Sequence, residues 1–447
     1  MTDDNTAEND RIIISYTDYR LQTFKLSGKV NFAVELIKQL RMSKKKEIIL
    51  LNVSGKDKPG QTLALTEVLA QYNVNILDIG QAVIHQDLGL GILFEVPAGA
   101  ESSPILKDLL FKSYEMGLTV KFTPVTEEKY EAWVTRQGKE RFIVTLISRK
   151  LTAQKLSVVA REIFEQKLNI DIISRLSGRV PLDGQDNAKS VVEMSLRGQP
   201  VDMEAMKTRF IEISGSTGID IAFQKDNIFR RNRRLVCFDM DSTLIQAEVI
   251  DELARKAGVY EEVSGITEAA MRGEIEFNES FVKRVALLKG LDEAVLKEVA
   301  EALPLTEGVE RLFKTLKMYG YRTAILSGGF TYFGNYLKNK LAVDYVFANE
   351  LEIKNGKLTG RHVGEIVDGD KKAELLKLIA FKEDIHLEQV IAVGDGSNDL
   401  PMIQQAGLGI AFHAKPKVKA SAQHAISTIG LDAILYLMGF RDREINF

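Results

Sequence analysis

The chain has 447 residues, of which 45% are hydrophobic and 27% charged, the balance of a globular protein with room for about three domains. Lysine plus arginine stands at 59 against 62 for aspartate plus glutamate, a formal charge of −3, so no nucleic-acid partner is expected. The sequence contains no apolar run of about 18 residues, and Met1–Asp10 carries Asp3, Asp4, Glu8 and Asp10 where a secretory signal is basic and then apolar. Neither a membrane partner nor export is expected. The single cysteine, Cys237, allows no disulfide within the chain and fits a reducing, cytoplasmic setting.

Residues 1–46 read as an extension to which no function attaches. Ile12 to Tyr16 has the pattern of a strand, Phe32, Leu36 and Leu40 fall at helical spacing, and Lys44 to Lys46 read as a linker. From Glu47 the pattern clears. Ile48–Val53 reads as a strand, followed by the dense turn signal Ser54-Gly55-Lys56-Asp57-Lys58-Pro59-Gly60. A helix is expected over about Gln61–Tyr72, strands over Val74–Ile84 and Leu88–Val96, a helix over Ile105–Met116 and a strand over Thr119–Phe122. This is the split β-α-β-β-α-β order, with two helices on one face of an antiparallel sheet. The order then repeats: strand Arg141–Ile147, helix Leu156–Gln166, strands Ile170–Leu176 and Ser190–Leu196, helix Met203–Ser214, strand Ile219–Phe223. The boundaries expected are 47–125 and 141–226, with a charged linker near Thr126–Glu140. A second run, Arg230-Arg231-Asn232-Arg233-Arg234, reads as a solvated connection.

Asp57-Lys58-Pro59-Gly60, following the first strand, resembles the ligand loop of the ACT domain family, small modules that bind amino acids. A glycine before a helix lets a carboxylate approach backbone N–H groups at the positive helix end. The resemblance implies an effector site at Asp57 and Gly60, a serine effector on this first module, and a homodimer in which modules meet. The corresponding loop of the second copy, Ser148 to Ala153, has neither proline nor glycine, and effector binding there is not expected.

Residues 235–447 read as an α/β domain. Leu235–Phe238 is a short apolar run suited to a strand buried on both faces of a parallel sheet. It ends in Asp239 and Asp241, with Thr243 two further on. Arg322–Leu326 ends in Ser327-Gly328-Gly329, and Val390–Val393 in Gly394-Asp395-Gly396-Ser397-Asn398-Asp399. Between these, Asp370-Lys371-Lys372 opens a helix expected from about Ala373 to Phe381. Acids belong at strand ends rather than inside buried strands, and carboxyl ends are where open α/β sheets bind ligands. Acids, a hydroxyl and a lysine gathered there suit Mg²⁺ and a phosphoryl group.

These four motifs, in this order, resemble the haloacid dehalogenase superfamily, whose fold is a Rossmann-like parallel sheet. The resemblance implies Asp239 as the nucleophile that accepts the phosphoryl group and Asp241 as general acid and base. Asp239, the backbone carbonyl of Asp241, and Asp395 would hold the metal, with Asp399 beside it. Ser327 and Lys372 would hold the phosphoryl oxygens, Lys371 being the adjacent alternative. Residues of about 247–303 show helical periodicity, for example at Ile250, Leu253, Ala254 and Ala257, and read as a cap. Within the cap, Glu248, Met271, Phe277 and Arg284 recur at the spacing of the phosphoserine phosphatase family. A free amino acid needs one acid and one base in its pocket, Glu248 and Arg284, with Met271 and Phe277 as walls. Substrate contacts are also expected from Ser327, Gly328 and Asn398. The function implied is Mg²⁺-dependent hydrolysis of O-phosphoserine. The alternatives are another small-molecule phosphatase of the superfamily, or a non-catalytic amino-acid sensor. The histidines, His85, His362, His386, His413 and His424, have no metal-ligand spacing and receive no role.

Overall fold

Leu88, Leu90, Ile92 and Phe94 alternate along one strand, and all four are buried; this period of two is the signature of a sheet with one covered face. The computed structural model describes residues 46–135, 140–179, 183, 188–271 and 274–445. The strand and helix expected within residues 11–45 lie outside them. The chain forms two compact units that divide after Gly138.

The first unit holds β1 (Ile48–Lys56), β2 (Asn75–Ile84), β3 (Asp87–Glu95) and β4 (Thr119–Val125), with helices Gln61–Gln71 and Ser102–Glu115. The strand order is β2-β3-β1-β4, antiparallel throughout. The helices cover one face, packing Leu65, Leu69, Ile105 and Leu109 onto Leu51, Ile92 and Phe94. On the opposite face Asn52 and Ser54 of β1 are exposed. The stretch read as a charged linker is in part a helix, Glu127–Val134, because the Thr126 side chain accepts from Lys129 N and two glutamates occupy the positive first turn.

The second unit begins with the repeat: β5 (Arg141–Ser148), β6 (Asn169–Arg175), β7 (Ser190–Arg197) and β8 (Asp220–Lys225), in the order β6-β7-β5-β8, with helices Ala153–Glu165 and Met203–Thr217. Here both sheet faces are covered. Phe142, Val144 and Leu146 face the helices, while Ile147, Val191 and Ala222 belong to one core with Leu435, Tyr436 and Leu437 from the far end of the chain. Polar contacts fix this junction. Asp220 Oδ2 accepts from the backbone N–H groups of Ser427 and Thr428, each at 2.8 Å, and from Thr428 Oγ1 at 2.7 Å. The buried Asp432 pairs with Lys189 and with Arg311, and Arg149 pairs with Glu307.

The run Arg230–Arg234 is not a solvated connection. Arg230 and Arg233 are buried; Arg230 pairs with Glu193 of β7, and Arg233 donates to the Glu388 carbonyl. A short 3₁₀ turn over Ile228–Arg231 contains Arg230, and both side chains meet partners distant in sequence.

The third sheet has seven strands, adding β9 (Leu235–Phe238), β10 (Arg322–Phe330), β11 (Tyr345–Lys354), β12 (Lys357–Val363), β13 (Val390–Gly394), β14 (Leu408–Phe412) and β15 (His424–Ile426). Their order is β12-β11-β10-β9-β13-β14-β15, parallel except for the β11–β12 hairpin. β9 is central and fully buried, and its carboxyl end opens beside those of β10 and β13. The cap comprises four helices, Val249–Ala257, Tyr260–Met271, Phe277–Leu287 and Ala294–Ala302. No helix among the described residues is long and apolar enough to cross a membrane.

Candidate active site

Because β9 lies between β10 and β13, the loops leaving these three strands converge at the carboxyl edge of the sheet, where the strand order switches direction. Asp239 follows β9 directly, its N–H bonded to the Val393 carbonyl at 2.9 Å. Ser327 lies in β10, and Asp395 and Asp399 follow β13. A fourth element, the helix Gly369–Lys382, starts at the N-cap Asp368, whose side chain accepts from Lys371 N. Its second lysine, Lys372, is fully buried. The Lys372 ammonium reaches Asp239 Oδ1 at 2.6 Å and Asp399 Oδ1 at 2.7 Å. Lys371 points the other way, to Glu365 and Glu374 at the surface.

The carboxylates crowd one another. Oxygens of Asp239, Asp395 and Asp399 lie within 4.8 Å. Burial, then the Asp399 charge, pushes the Asp239 carboxyl up to about 7 against the pull of Lys372. Burial and the charges of Asp239 and Asp399 push Asp395 up to about 8. Thr243 Oγ1 donates to Asp395 Oδ1 at 3.4 Å, and Asp399 Oδ2 accepts from Gly396 N at 3.0 Å. Two further acids, Asp241 and Glu248, add to the same field, and the basic groups that oppose them are Lys372 and Arg284. Three close acids with oxygen-only donors and excess negative charge fit a hard divalent cation.

Asp241 is held apart from that cluster. Its Oδ1 accepts from Val249 N at 2.8 Å, and its Oδ2 from Ser327 Oγ at 3.4 Å. Burial, with the charges of Glu248 and Asp239, raises its pKa well above that of a free aspartate, which favours the protonated form. Ser327 Oγ in turn accepts from Gly329 N at 2.9 Å.

The cap supplies the outer wall. Glu248 accepts from Ser242 Oγ at 2.6 Å; loss of hydration, then the Asp251 charge, raises its pKa. Arg284 donates to the Ser280 carbonyl at 3.3 Å and to Thr267 Oγ1 at 3.4 Å. Desolvation lowers its pKa, while Glu248, Asp251 and Asp241 oppose that shift. Phe277 faces Gly328, where an added Cβ would fall 3.1 Å from Phe277 Cζ. Met271 ends its helix, and its side chain lies outside the described residues. Asn398 stands in a 3₁₀ turn, Ser397–Asp399, with its carbonyl against Gly369 at the start of the Lys372 helix. Asp57 and Gly60 belong to the other unit: Gly60, at φ 88°, is the N-cap of helix Gln61–Gln71, whose end has no side-chain cap. Sequence reasoning passed over Ser242, although it lies inside the first motif; its left-handed backbone, φ 54°, directs the hydroxyl to Glu248.

Buried acids at strand ends, a lysine between two of them and a second carboxyl two residues on can accept a phosphoryl group and protonate its leaving group. Residues 47–123 and 141–224 match ACT domain families, and residues 236–404 match haloacid dehalogenase-like hydrolases. A phosphoserine phosphatase of Streptomyces coelicolor is 39% identical over 399 residues, covering 89% of this chain and 93% of the relative. One from Mycobacterium tuberculosis is also 39% identical, covering 89% and 94%. The crystal structure of a probable phosphoserine phosphatase from Vibrio cholerae, in its unliganded form, is similar with a TM-score of 0.53 and 35% identity, covering 68% of this chain and 87% of that one. With its strand-end acids and two preceding ACT domains, the chain belongs to the phosphoserine phosphatase family of haloacid dehalogenase-like hydrolases.

Proposed function

We propose that the chain hydrolyses O-phosphoserine to serine and phosphate, the last step of serine biosynthesis, in a reducing cytoplasm and with Mg²⁺. The observation that carries the reaction is the placing of Asp239, bonded to the Lys372 ammonium, two residues from Asp241, a second carboxyl held by Val249 N and Ser327. An Asp239 oxygen attacks phosphorus, forming an aspartyl-phosphate as the ester bond breaks. Asp241 gives its proton to the departing serine oxygen, then takes one from the water that cleaves the acyl-phosphate. Asp239, the Asp241 carbonyl and Asp395 would hold Mg²⁺, with Asp399 beside them, and bound Mg²⁺ supplies charge neutralisation at the phosphoryl oxygens. Lys372 and Ser327 bind those oxygens as negative charge develops, with Gly328 and Asn398 at the same end. The substrate's ammonium and carboxylate need opposite charges, and Glu248 and Arg284 supply them at the cap, walled by Phe277 and Met271.

The two ACT domains have different roles in this reading. In the first, the uncapped helix end at Gly60 and the open space where its Cβ would stand leave N–H donors for a small carboxylate. Serine, the product, is the effector proposed there, at a contact between first domains in a homodimer. In the second, Arg149 of the equivalent loop is paired to Glu307 and the sheet face is covered, so that domain packs.

Asp239→Asn should abolish turnover in a protein that keeps its circular dichroism, and Asp241→Asn should lower kcat by on the order of 10²–10⁴; normal turnover by folded Asp239→Asn would overturn the mechanism. Arg284→Ala should cut kcat/KM for O-phosphoserine on the order of tenfold or more beyond any loss for an ester without a carboxylate. Equal losses would make Arg284 structural.

Metal binding has a proton signature. Asp239 and Asp395 hold protons up to about pH 7 and 8, and a cation requires both ionised. Calorimetric titration with Mg²⁺ near about pH 6.5 should release protons, the release fading and the affinity rising toward about pH 9. Absence of release at the lower pH would mean that these acids are already ionised.

Serine should bind the first domain and lower activity. Gly60→Asn, which tolerates a left-handed backbone but adds bulk, should weaken the calorimetric binding and the inhibition together. Unchanged binding and inhibition would leave serine as a competing product only.

A further inference from the structure

Asn349 of β11 is almost completely buried, and its side chain bonds to backbone groups on two other segments. Its amide Nδ2 donates to the Gly328 carbonyl at 2.8 Å, and its Oδ1 accepts from Val367 N at 2.8 Å. The partners fix the orientation of the amide, since a carbonyl can only accept and an N–H only donate. We propose that Asn349 is the positioning residue that holds Ser327 and Lys372 in mutual register, one end of its amide gripping each of the two segments that carry them.

The first grip acts through a single peptide plane. In a trans peptide the C=O and N–H point in opposite directions. Holding the Gly328 carbonyl toward Asn349 therefore turns the N–H of Gly329 the other way, and that N–H donates to Ser327 Oγ at 2.9 Å. The Gly328-Gly329 pair has more backbone freedom than any other residue pair, and the β10–β11 register shifts between Leu326 and Phe330, so an external hold is needed here. The second grip acts on the approach to the lysine helix. Val367 precedes Asp368, the helix N-cap, and the Asp368 carbonyl accepts from Lys372 N at 2.9 Å. Asn349 thereby sets where the helix begins, and so where Lys372 meets Asp239.

This inference rests on the proposed roles of Ser327 and Lys372, and its test separates the two. Wild-type and Asn349→Leu proteins are assayed with O-phosphoserine and with p-nitrophenyl phosphate, activity being expressed per folded molecule. Wild type active only on the second ester would overturn the substrate reading and leave the Asn349 comparison valid on that ester. In Asn349→Leu, which matches the size but offers no hydrogen bond, kcat should fall at least about tenfold while KM moves less than about threefold, because the groups that meet developing charge are displaced. A kcat near wild type, or a change in KM alone, overturns the proposal. If the leucine variant does not fold, Asn349→Asp decides. Its ionised carboxylate still accepts from Val367 but repels the Gly328 carbonyl, and its protonated form donates again. Activity relative to wild type should then rise as pH falls from about 8.5 to about 5.5. A flat ratio overturns the proposal.

Discussion

A lysine ammonium sealed from water between two carboxylates is the constraint on which the rest of the structure depends. Charge at Lys372 is tolerable only because Asp239 and Asp399 meet it at hydrogen-bond distance; burial alone would drive the proton off, and the two acids outweigh that effect. Removing one partner of such a buried pair typically costs about 3–5 kcal/mol. The three groups come from three elements, the end of β9, the turn after β13 and the first turn of helix Gly369–Lys382. The ion pairs therefore fix these elements relative to one another before any substrate arrives. Ser327 and Asp241 are then placed around a centre that is already rigid, which is what electrostatic preorganisation requires.

Much of this was legible because it is local. A four-residue apolar run ending in Asp-x-Asp reads as a buried strand with its acids at the tip. The choice between Lys371 and Lys372 also follows from helical period. Lys372 shares its face with the buried Leu375, Leu376 and Ile379, whereas Lys371 lies on the side of Glu374 and the exposed Leu378.

What escaped the sequence is long-range. Arg230 and Arg233 read as a solvated run because their partners, Glu193 and Glu388, lie 37 and 155 residues away. The helix Glu127–Val134 is a different failure: Thr126 followed by two glutamates is a start signal, hidden by treating charge as evidence of a linker. Asn349 carries no signal at all, being a polar residue in a strand whose partners are known only once β10 and β11 are paired. Glu248, nine residues after Asp239, and Met271, Phe277 and Arg284, spaced among themselves along the cap, were singled out by the family resemblance alone.

The covered sheet face of the second ACT domain changes what counts as the enzyme. β5 is buried along nearly its whole length because Ile147, Val191 and Ala222 share a core with Tyr436 and Leu437, whereas the same face of β1 in the first domain ends in exposed Asn52 and Ser54. Duplication thus yielded one copy with a free face and one absorbed into its neighbour. A chain cut at Arg234, just before the motif that begins at Leu235, would expose apolar residues of that core and part the buried Asp432 from Lys189, the kind of surface that drives association in solution. The second ACT domain is accordingly part of the body that carries the site, and the junction around Arg234 is a packed core rather than a solvated connection.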